Sequence, residues 1–370
     1  MRILVIPYDQ LDHPKADVRL TPIIKNLPDE YEILGIERIP CFNTSSEILR
    51  YVRFFSYSLK IVYFCIKNNK NIDLIFAVHP WHGLIGSILS FLIKKPLAYD
   101  NHDGNQLLYS QFLQTSLLYK KLNLILERFL GYLSKVMVVP SNLDKKLYID
   151  QNFRYKDKII VIPSGIDFSS INKINKNKFL LRSRLGINLS KKVLIFGGNR
   201  DYQPNKEAVL WINEELAPIL ENNFNEIMII ITGSGDIPPN IHPIIKFTGY
   251  IQDYFEHIIA SDIGIVPYHM NTGISTKTID YLASGLPTII TPEVASLFPQ
   301  LIDGENIIIA RDRQEFINKI IYVLNHSEEG AKIGARGKEV IEKYYDMEVV
   351  GRAWRELFKS CLRDNLQIRV

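Results

Sequence analysis

Short apolar runs alternate with longer amphipathic stretches along the first half of the chain. The runs are Ile3 to Ile6, Ile72 to Val78, Leu97 to Tyr99, Val136 to Val139 and Ile159 to Ile162. Such a run, bounded by polar residues, is typical of a buried strand, and the intervening stretches have the period of helices. The alternation predicts a parallel sheet covered by helices.

The second half repeats this pattern, and four of its strands run into loops that contain glycine. The four strands are Val193 to Phe196, Ile227 to Ile231, Ile245 to Phe247 and Ile263 to Val266. Glycine allows the backbone to approach a ligand closely. Because loops that follow parallel strands share one edge of the sheet, the pattern predicts a ligand site at that edge.

The most informative loop runs from Thr272 through Gly273, Ile274 and Ser275 into a helix that carries Lys277 and Asp280. The first N–H groups of a helix, together with its dipole, attract an anion. A lysine in the first turn adds positive charge, and an aspartate one turn later can accept hydrogen bonds from a hydroxylated ligand such as ribose. The loop predicts a nucleotide-phosphate site, although a glycine loop of this kind can also be only a turn.

Three segments of the second half together resemble the nucleotide-binding domain of GT-B glycosyltransferases, specifically the large retaining family 4. They are the turn from Gly198 to Asn205, the stretch Phe247 to Tyr268 and the stretch Thr272 to Thr291. The resemblance covers most of the region from about Lys191 to Tyr345. It implies an α/β protein with two Rossmann-like parallel-sheet domains that face each other across a cleft.

The resemblance also implies domain boundaries. Residues 1–168 form an acceptor domain that ends at the segment Ile162 to Asp167, residues 169–190 form a linker, and residues 191–348 bind the nucleotide sugar. Length supports two domains, because 370 residues exceed what one hydrophobic core usually organises. In the family, the terminal helix, here 349–370, packs back on the first domain.

The site residues are assigned by the same resemblance. The catalytic candidates are His102 and Asp103 after a strand of the first domain, and Arg200 and Lys206 as cations for the donor diphosphate. Lys206 can also be an ordinary surface lysine. The donor-binding candidates are Gly198, Asn199, Gly233, Tyr250, Ile251, Thr272, Gly273, Ile274, Ser275, Lys277 and Asp280. His79, Trp81 and His82 are weaker candidates for an acceptor pocket.

Two features depart from the family pattern. Thr272 occupies a position where the family often has a glutamate that contacts the donor sugar, and the loop from Pro7 to Arg19 lacks paired glycines. Lys15 and Arg19 in that loop are expected to be solvated charges, with phosphate contact as the alternative.

The implied activity is transfer of a sugar, with retention, from a nucleoside-diphosphate donor to a glycan or lipid-linked acceptor in cell-surface polysaccharide or glycoprotein synthesis. No metal and no cofactor besides the nucleotide-sugar co-substrate is expected. The alternatives are a nucleotide-sugar epimerase of the same fold and a non-catalytic scaffold that partners an active transferase.

Composition and charge bear on the binding partners and on the cellular compartment of the protein. The net charge of +4 gives no nucleic-acid footprint, and three cysteines without metal-like spacing favour a reducing, cytoplasmic compartment. Tyr51 to Lys70 and Leu117 to Lys135 are basic amphipathic stretches that can lie on the inner face of a cell membrane. The competing interpretation is that their apolar stripes pack on the sheet and leave the lysines in water.

Overall fold

The computed structural model describes residues 1–8, 19, 23–24, 27–37, 47–68, 71–101, 117–150, 155–268 and 273–363. The chain forms two compact units, the first made of residues 1–165 and 347–370 and the second of residues 166–346. Residues 169–190, predicted as a linker, fall in the second unit and include most of one short helix and the whole of another.

The first unit contains a six-stranded parallel sheet in the order β2-β1-β3-β4-β5-β6. Its strands are β1 (Arg2–Tyr8), β2 (Glu32–Glu37), β3 (Leu74–Val78), β4 (Leu97–Asp100), β5 (Val136–Val139) and β6 (Ile159–Val161). Its helices are α1 (Glu47–Asn68), α2 (Pro80–Ile93), α3 (Leu117–Leu133), α4 (Asn142–Asp150), a 3₁₀ turn (Lys156–Lys158) and the C-terminal helix (Met347–Cys361).

Successive residues of β1 and β3 point to opposite faces of this sheet, so both faces are buried. On one face, Leu4 and Ile75 belong to a core that includes apolar residues of α1 and α2. On the other face, Phe76 packs edge-on against the fully buried Trp354 of the C-terminal helix, with ring centroids 5.2 Å apart. The C-terminal helix is therefore part of the first unit's core.

The second unit contains another six-stranded parallel sheet, in the order β12-β11-β10-β7-β8-β9. Its strands are β7 (Lys192–Gly197), β8 (Ile227–Thr232), β9 (Ile245–Gly249), β10 (Ile263–Val266), β11 (Thr288–Ile290) and β12 (Ile308–Ile309). Its helices are α5 (Phe168–Asn172), α6 (Lys178–Arg184), α7 (Gln203–Trp211), a π-helical turn (Ile212–Leu216), α8 (Ala217–Asn223), α9 (Tyr254–Ala260), α10 (Thr276–Ala283), α11 (Pro292–Ala295), α12 (Arg313–Asn325) and α13 (Ser327–Tyr345).

The strand order changes direction once in each sheet, and this position predicts where a ligand binds. In the second unit, β7 lies between β8 and β10, so the loops that leave β7 and β10 diverge and open a crevice at the carboxyl edge. In the first unit the corresponding position lies between β1 and β3. The residues that follow these four strands are the first to be considered as a site.

Two findings concern the membrane-spanning potential of the helices and the state of the cysteines. No helix within the described ranges is both long and apolar enough to cross a membrane. Cys65 and Cys361 are buried free thiols, and burial raises the pKa of each to about 12. Cys41 lies outside the described residues.

Candidate functional site

The site in the second unit lies between the loops that follow β7 and β10. Helix α10 begins at Thr276, after Gly273 has turned the chain with a φ of 73° and Ser275 has taken the N-cap position. The first N–H groups of a helix have no partner within the helix. Among the described residues, the N–H groups of Ile274 and Thr276 donate to no other group, so the start of α10 can bind an anion.

Lys277 is the buried cation of this site. Its side chain is 8% exposed, and its Nζ donates a hydrogen bond to Oδ1 of Asn205 over 2.6 Å. The ammonium also lies over two aromatic rings, 4.3 Å from the centroid of Phe196 and 4.5 Å from that of Tyr268. Within the described ranges, no carboxylate forms an ion pair with Lys277.

Burial shifts the pKa values of Lys277 and Asp280, both on α10, towards each other. Desolvation lowers the pKa of Lys277 to about 7, although the nearby Asp280 opposes the shift. Desolvation also raises the pKa of Asp280 to about 7, and Lys277 opposes that shift in turn. An anionic ligand beside Lys277 would favour its charged form and raise its pKa.

Asn205 is a site residue that the sequence analysis did not assign. It lies in the first turn of α7, is 6% exposed, and donates through Nδ2 to the carbonyl of Asn199 over 2.8 Å. The same amide therefore holds the turn after β7 and orients Lys277 from α10. In the sequence, the position of Asn205 after Pro204 at the start of a helix predicts that it lies in the first helical turn. It does not predict which groups the side chain contacts.

Two glycines allow the backbone after β7 to lie close to Asn205, to Lys277 and to the loop after β8. Gly198 has a φ of 147°, and a Cβ added there would lie 2.6 Å from Nδ2 of Asn205 and 3.0 Å from Nζ of Lys277. Gly233 has a φ of 106°, and its Cβ would lie 2.2 Å from the carbonyl oxygen of Gly198. Real Cβ atoms do not approach a backbone so closely, so glycine is required at Gly233 by contact as well as by conformation.

Arg200 is buried, and its guanidinium faces the loop that follows β8. It donates hydrogen bonds to three backbone carbonyls, those of Gly233 at 2.9 Å, Gly235 at 2.6 Å and Asp236 at 3.0 Å. The guanidinium also lies 5.2 Å from the centroid of the Phe247 ring. In this arrangement Arg200 fixes the loop, and three of its five N–H donors are already used.

The carboxyl edge of the first unit holds a buried ion pair. Arg19 donates through Nε and Nη2 to the two carboxylate oxygens of Asp100 at 2.9 and 3.1 Å, and Nη2 also donates to the carbonyl of Ile162. The side chains of Arg19 and Asp100 are 3% and 1% exposed. The expectation that Arg19 is a solvated loop charge is therefore wrong, because the carboxylate that ends β4 draws it into the core.

His79 follows β3 in a backbone conformation that is rare for any residue except glycine. Its φ is 67° and its ψ is 152°, and Pro80 begins α2 directly after it. Such a conformation costs about 1–3 kcal/mol and is concentrated at functional sites. The buried His82 lies close, with the two imidazole centroids 6.1 Å apart.

Comparison with known proteins identifies the second unit. Residues 191–326 match the family model described as "Glycosyl transferases group 1". This region belongs to the group 1 glycosyltransferases. Trehalose synthase of Pyrococcus horikoshii is 30% identical over 86 residues, which span 23% of this chain and 20% of that relative.

Solved structures extend the fold likeness to the whole chain. HepE of Anabaena, crystallised with UDP and with UDP-glucose, matches with a TM-score of 0.75 and 16% identity over 97% of this chain and 100% of its own. Sucrose-phosphate synthase of Thermosynechococcus elongatus matches with the same TM-score and identity, over 97% of this chain and 98% of its own. A trehalose-phosphate synthase of Burkholderia xenovorans matches with a TM-score of 0.68 and 12% identity over 99% of each chain. The predicted α/β GT-B fold is confirmed, and the predicted family is confirmed for residues 191–326.

The other residues assigned to the group 1 domain are placed as follows. Lys206 is exposed on α7, on the side of Arg200 and Gln203 rather than beside Lys277. Tyr250 is 73% exposed after β9, Ile251 is half-buried, and Asn199 is exposed at the turn after β7.

Ser275, by contrast, is buried. Its Oγ lies 3.1 Å from the Tyr268 hydroxyl and accepts a hydrogen bond from Thr278.

Three assigned residues, His102, Asp103 and Thr272, lie outside the described residues, as does Lys15. The side chain of Trp81 is also outside the described part. Among the residues that are described, no three His, Cys, Asp or Glu side chains are grouped so that they could hold a metal ion.

Proposed function

We propose that this protein is a glycosyltransferase that moves a sugar from a nucleoside-diphosphate donor to an acceptor hydroxyl. The observation that carries the proposal is the buried Lys277, which has an amide and two aromatic rings as neighbours but no carboxylate ion pair in the described ranges. A buried cation in such surroundings is costly unless an anion completes them. The membership of residues 191–326 in a glycosyltransferase family supports the same assignment.

The donor diphosphate binds at the start of α10. The N–H groups of Ile274 and Thr276 and the ammonium of Lys277 provide donors on one short stretch of chain. Asp280, one turn further along the helix and half-buried, accepts hydrogen bonds from ribose hydroxyls. The complexes of HepE with UDP and UDP-glucose make UDP-glucose the first donor to test.

Catalysis depends on the charge that develops when the diphosphate leaves. The leaving group gains negative charge in the transition state, and donors already in place stabilise that charge more than they stabilise the ground state. Lys277 must be protonated to contribute, and the anion itself raises its pKa from about 7. Transfer proceeds with retention, as the resemblance to family 4 implies, to a glycan or lipid-linked acceptor of cell-surface or glycoprotein synthesis.

The decisive experiment is calorimetric titration with UDP and UDP-glucose, followed by product analysis with candidate acceptors. Lys277→Met should weaken UDP binding by about 10- to 100-fold, because a hydrogen bond to a charged group contributes about 1.5–3 kcal/mol. The matched control is Lys332→Met, which changes an exposed lysine of α13 and should leave affinity unchanged. Absence of UDP and UDP-glucose binding by the unaltered protein would count against the proposal for these donors, and an isomerised sugar nucleotide as the product would indicate an epimerase.

A further inference from the structure

Helices α1, α2 and α3 lie side by side on one face of the first unit's sheet. Helix α2 packs on β1, β3 and β4 and contacts α1 on one side and α3 on the other. Their inward residues are apolar and buried, among them Ile61 of α1, Leu89 of α2 and Leu130 of α3. Each helix thus buries one apolar stripe, as expected for a helix that covers a sheet.

The same three helices carry a second apolar stripe that faces solvent. Phe91 of α2 is 84% exposed, Tyr63 of α1 is 70% exposed and Tyr132 of α3 is 67% exposed. The other large exposed apolar side chains of these helices are Leu59, Ile66, Ile88, Leu92, Ile125, Phe129 and Leu133. Within α1 and α3 they recur at intervals of three and four residues, so each helix has a continuous outward stripe. We call this surface the α1–α3 face.

A helix on the surface of a soluble protein usually presents polar residues to water. In the second unit, α13 does so, with exposed Glu328, Lys332, Arg336 and Lys343 on its outer side. The α1–α3 face instead holds half of the large exposed apolar side chains in the described part of the chain. An apolar surface of this extent is typical of an interaction site rather than of ordinary solvated helices.

The charge on these helices is strongly one-sided. Their sequences contain seven lysines and arginines but only two glutamates, Glu47 and Glu127. Glu127 is fully buried and accepts a hydrogen bond from the Tyr148 hydroxyl, so it does not offset the positive charge at the surface. Lys60, Lys67 and Lys121 are exposed. The face therefore combines apolar side chains with positive charge.

We propose that the α1–α3 face binds an anionic lipid bilayer. The exposed aromatic and aliphatic side chains enter the boundary between headgroups and acyl chains, and the lysines contact anionic headgroups. A second copy of this chain fits less well, because two such faces would bring like charges together as the apolar side chains met. The inference concerns the first unit alone and does not depend on the donor proposed for the second.

Vesicle sedimentation tests the proposal directly. The 370-residue chain should bind vesicles of phosphatidylglycerol and phosphatidylcholine, and binding should weaken as salt is added and be far lower on phosphatidylcholine alone. The triple variant Tyr63→Gln, Phe91→Gln, Tyr132→Gln should reduce binding at least tenfold, because each helix loses an apolar side chain that enters the bilayer. The double variant Lys60→Gln, Lys121→Gln should reduce it by about fivefold for each charge removed.

The control variant replaces Phe179, Leu189 and Ile302 by glutamine, since these side chains of the second unit are similarly apolar and 59%, 46% and 53% exposed. Its binding should equal that of the unaltered protein, and thermal unfolding should show that all variants remain folded. The proposal is overturned if mixed vesicles are not bound, or if the triple variant binds as well as the control. It is also overturned if sedimentation velocity shows a dimer that the triple variant dissociates while vesicles leave the dimer intact.

Discussion

Each unit has a buried cation at the carboxyl edge of its sheet, Arg19 in the first and Lys277 in the second, and the two have different partners. In the first unit, Arg19 is paired through two hydrogen bonds with the carboxylate of Asp100. In the second unit, Lys277 is bonded to the neutral amide of Asn205 and lies over two aromatic rings. The comparison teaches that a buried cation is structural where a carboxylate neutralises it, and can serve an incoming anion where only an amide orients it.

The largest expected effect on stability comes from breaking the ion pair between Arg19 and Asp100. Arg19→Met should reduce the free energy of unfolding by about 3–5 kcal/mol, because the buried carboxylate of Asp100 would lose both hydrogen bonds from the guanidinium. Chemical denaturation measures the loss. The control is Arg2→Met, which breaks an ion pair with Glu32 whose side chains are 44% and 57% exposed and should cost about 1 kcal/mol or less. A loss no larger than the control's would contradict the structural role of Arg19.

A smaller effect is expected at Arg200, another buried cation of the second unit, whose side-chain hydrogen bonds within the described ranges go to backbone carbonyls rather than to a carboxylate. Arg200→Ala should lower the free energy of unfolding by about 2 kcal/mol, since the carbonyls of Gly233, Gly235 and Asp236 lose their donors. The exposed Arg313 of α12, changed to alanine, is the control. If stability is kept while transfer falls about a hundredfold, Arg200 acts on the diphosphate directly, as the sequence predicts.

Lys277 should make nucleotide binding depend on pH. The group has a pKa of about 7 in the empty protein, so it loses its proton as the pH rises above 7. A bound diphosphate raises that pKa, so binding takes up a proton and affinity falls with rising pH, by at most about tenfold per unit for one proton. Calorimetry in buffers of different ionisation enthalpy measures the uptake. Lys277→Met should remove it, and uptake that persists in this variant would assign the proton to another group.

The smallest effect concerns the strained residue of the first unit. His79→Gly should stabilise the protein by about 1 kcal/mol, because glycine adopts the observed backbone angles without strain. His79→Ala removes the imidazole but keeps the strain, so it should show no such gain. Thermal unfolding compares the two variants. If both also lower transfer to an acceptor, the strain is maintained for the imidazole, whereas unchanged transfer would give His79 no part in the reaction.

The sequence predicts the fold because the apolar runs of both halves are long enough to define strands and their order follows from the alternation with helices. It also places Lys277 at the start of a helix near glycine loops. It does not predict Asn205 as the partner of Lys277, since the two residues come from helices that follow different strands and meet only where the strand order changes direction. Nor does it predict the φ of His79, because histidine carries no preference for that conformation.

The sequence also does not predict the direction in which a side chain points. The sequence identifies Arg200 as a cation next to a glycine turn but not the carbonyls towards which its guanidinium points. In the same way, helical periodicity predicts one buried stripe on α1 and α3, and only the packing against the sheet shows that a second stripe faces solvent. Both features depend on how neighbouring elements are arranged, which no local pattern encodes.

The C-terminal helix has a consequence for how the chain can be divided. Because Met347–Cys361 completes the core of the first unit, the second unit is topologically an insertion, and its two ends are adjacent, with the Ile166 N–H donating to the Tyr345 carbonyl over 2.8 Å. Residues 166–346 can therefore be excised as one continuous piece. A fragment that ends at residue 346, by contrast, leaves Phe76 without Trp354, and only a short joint between residues 165 and 347 would restore that core.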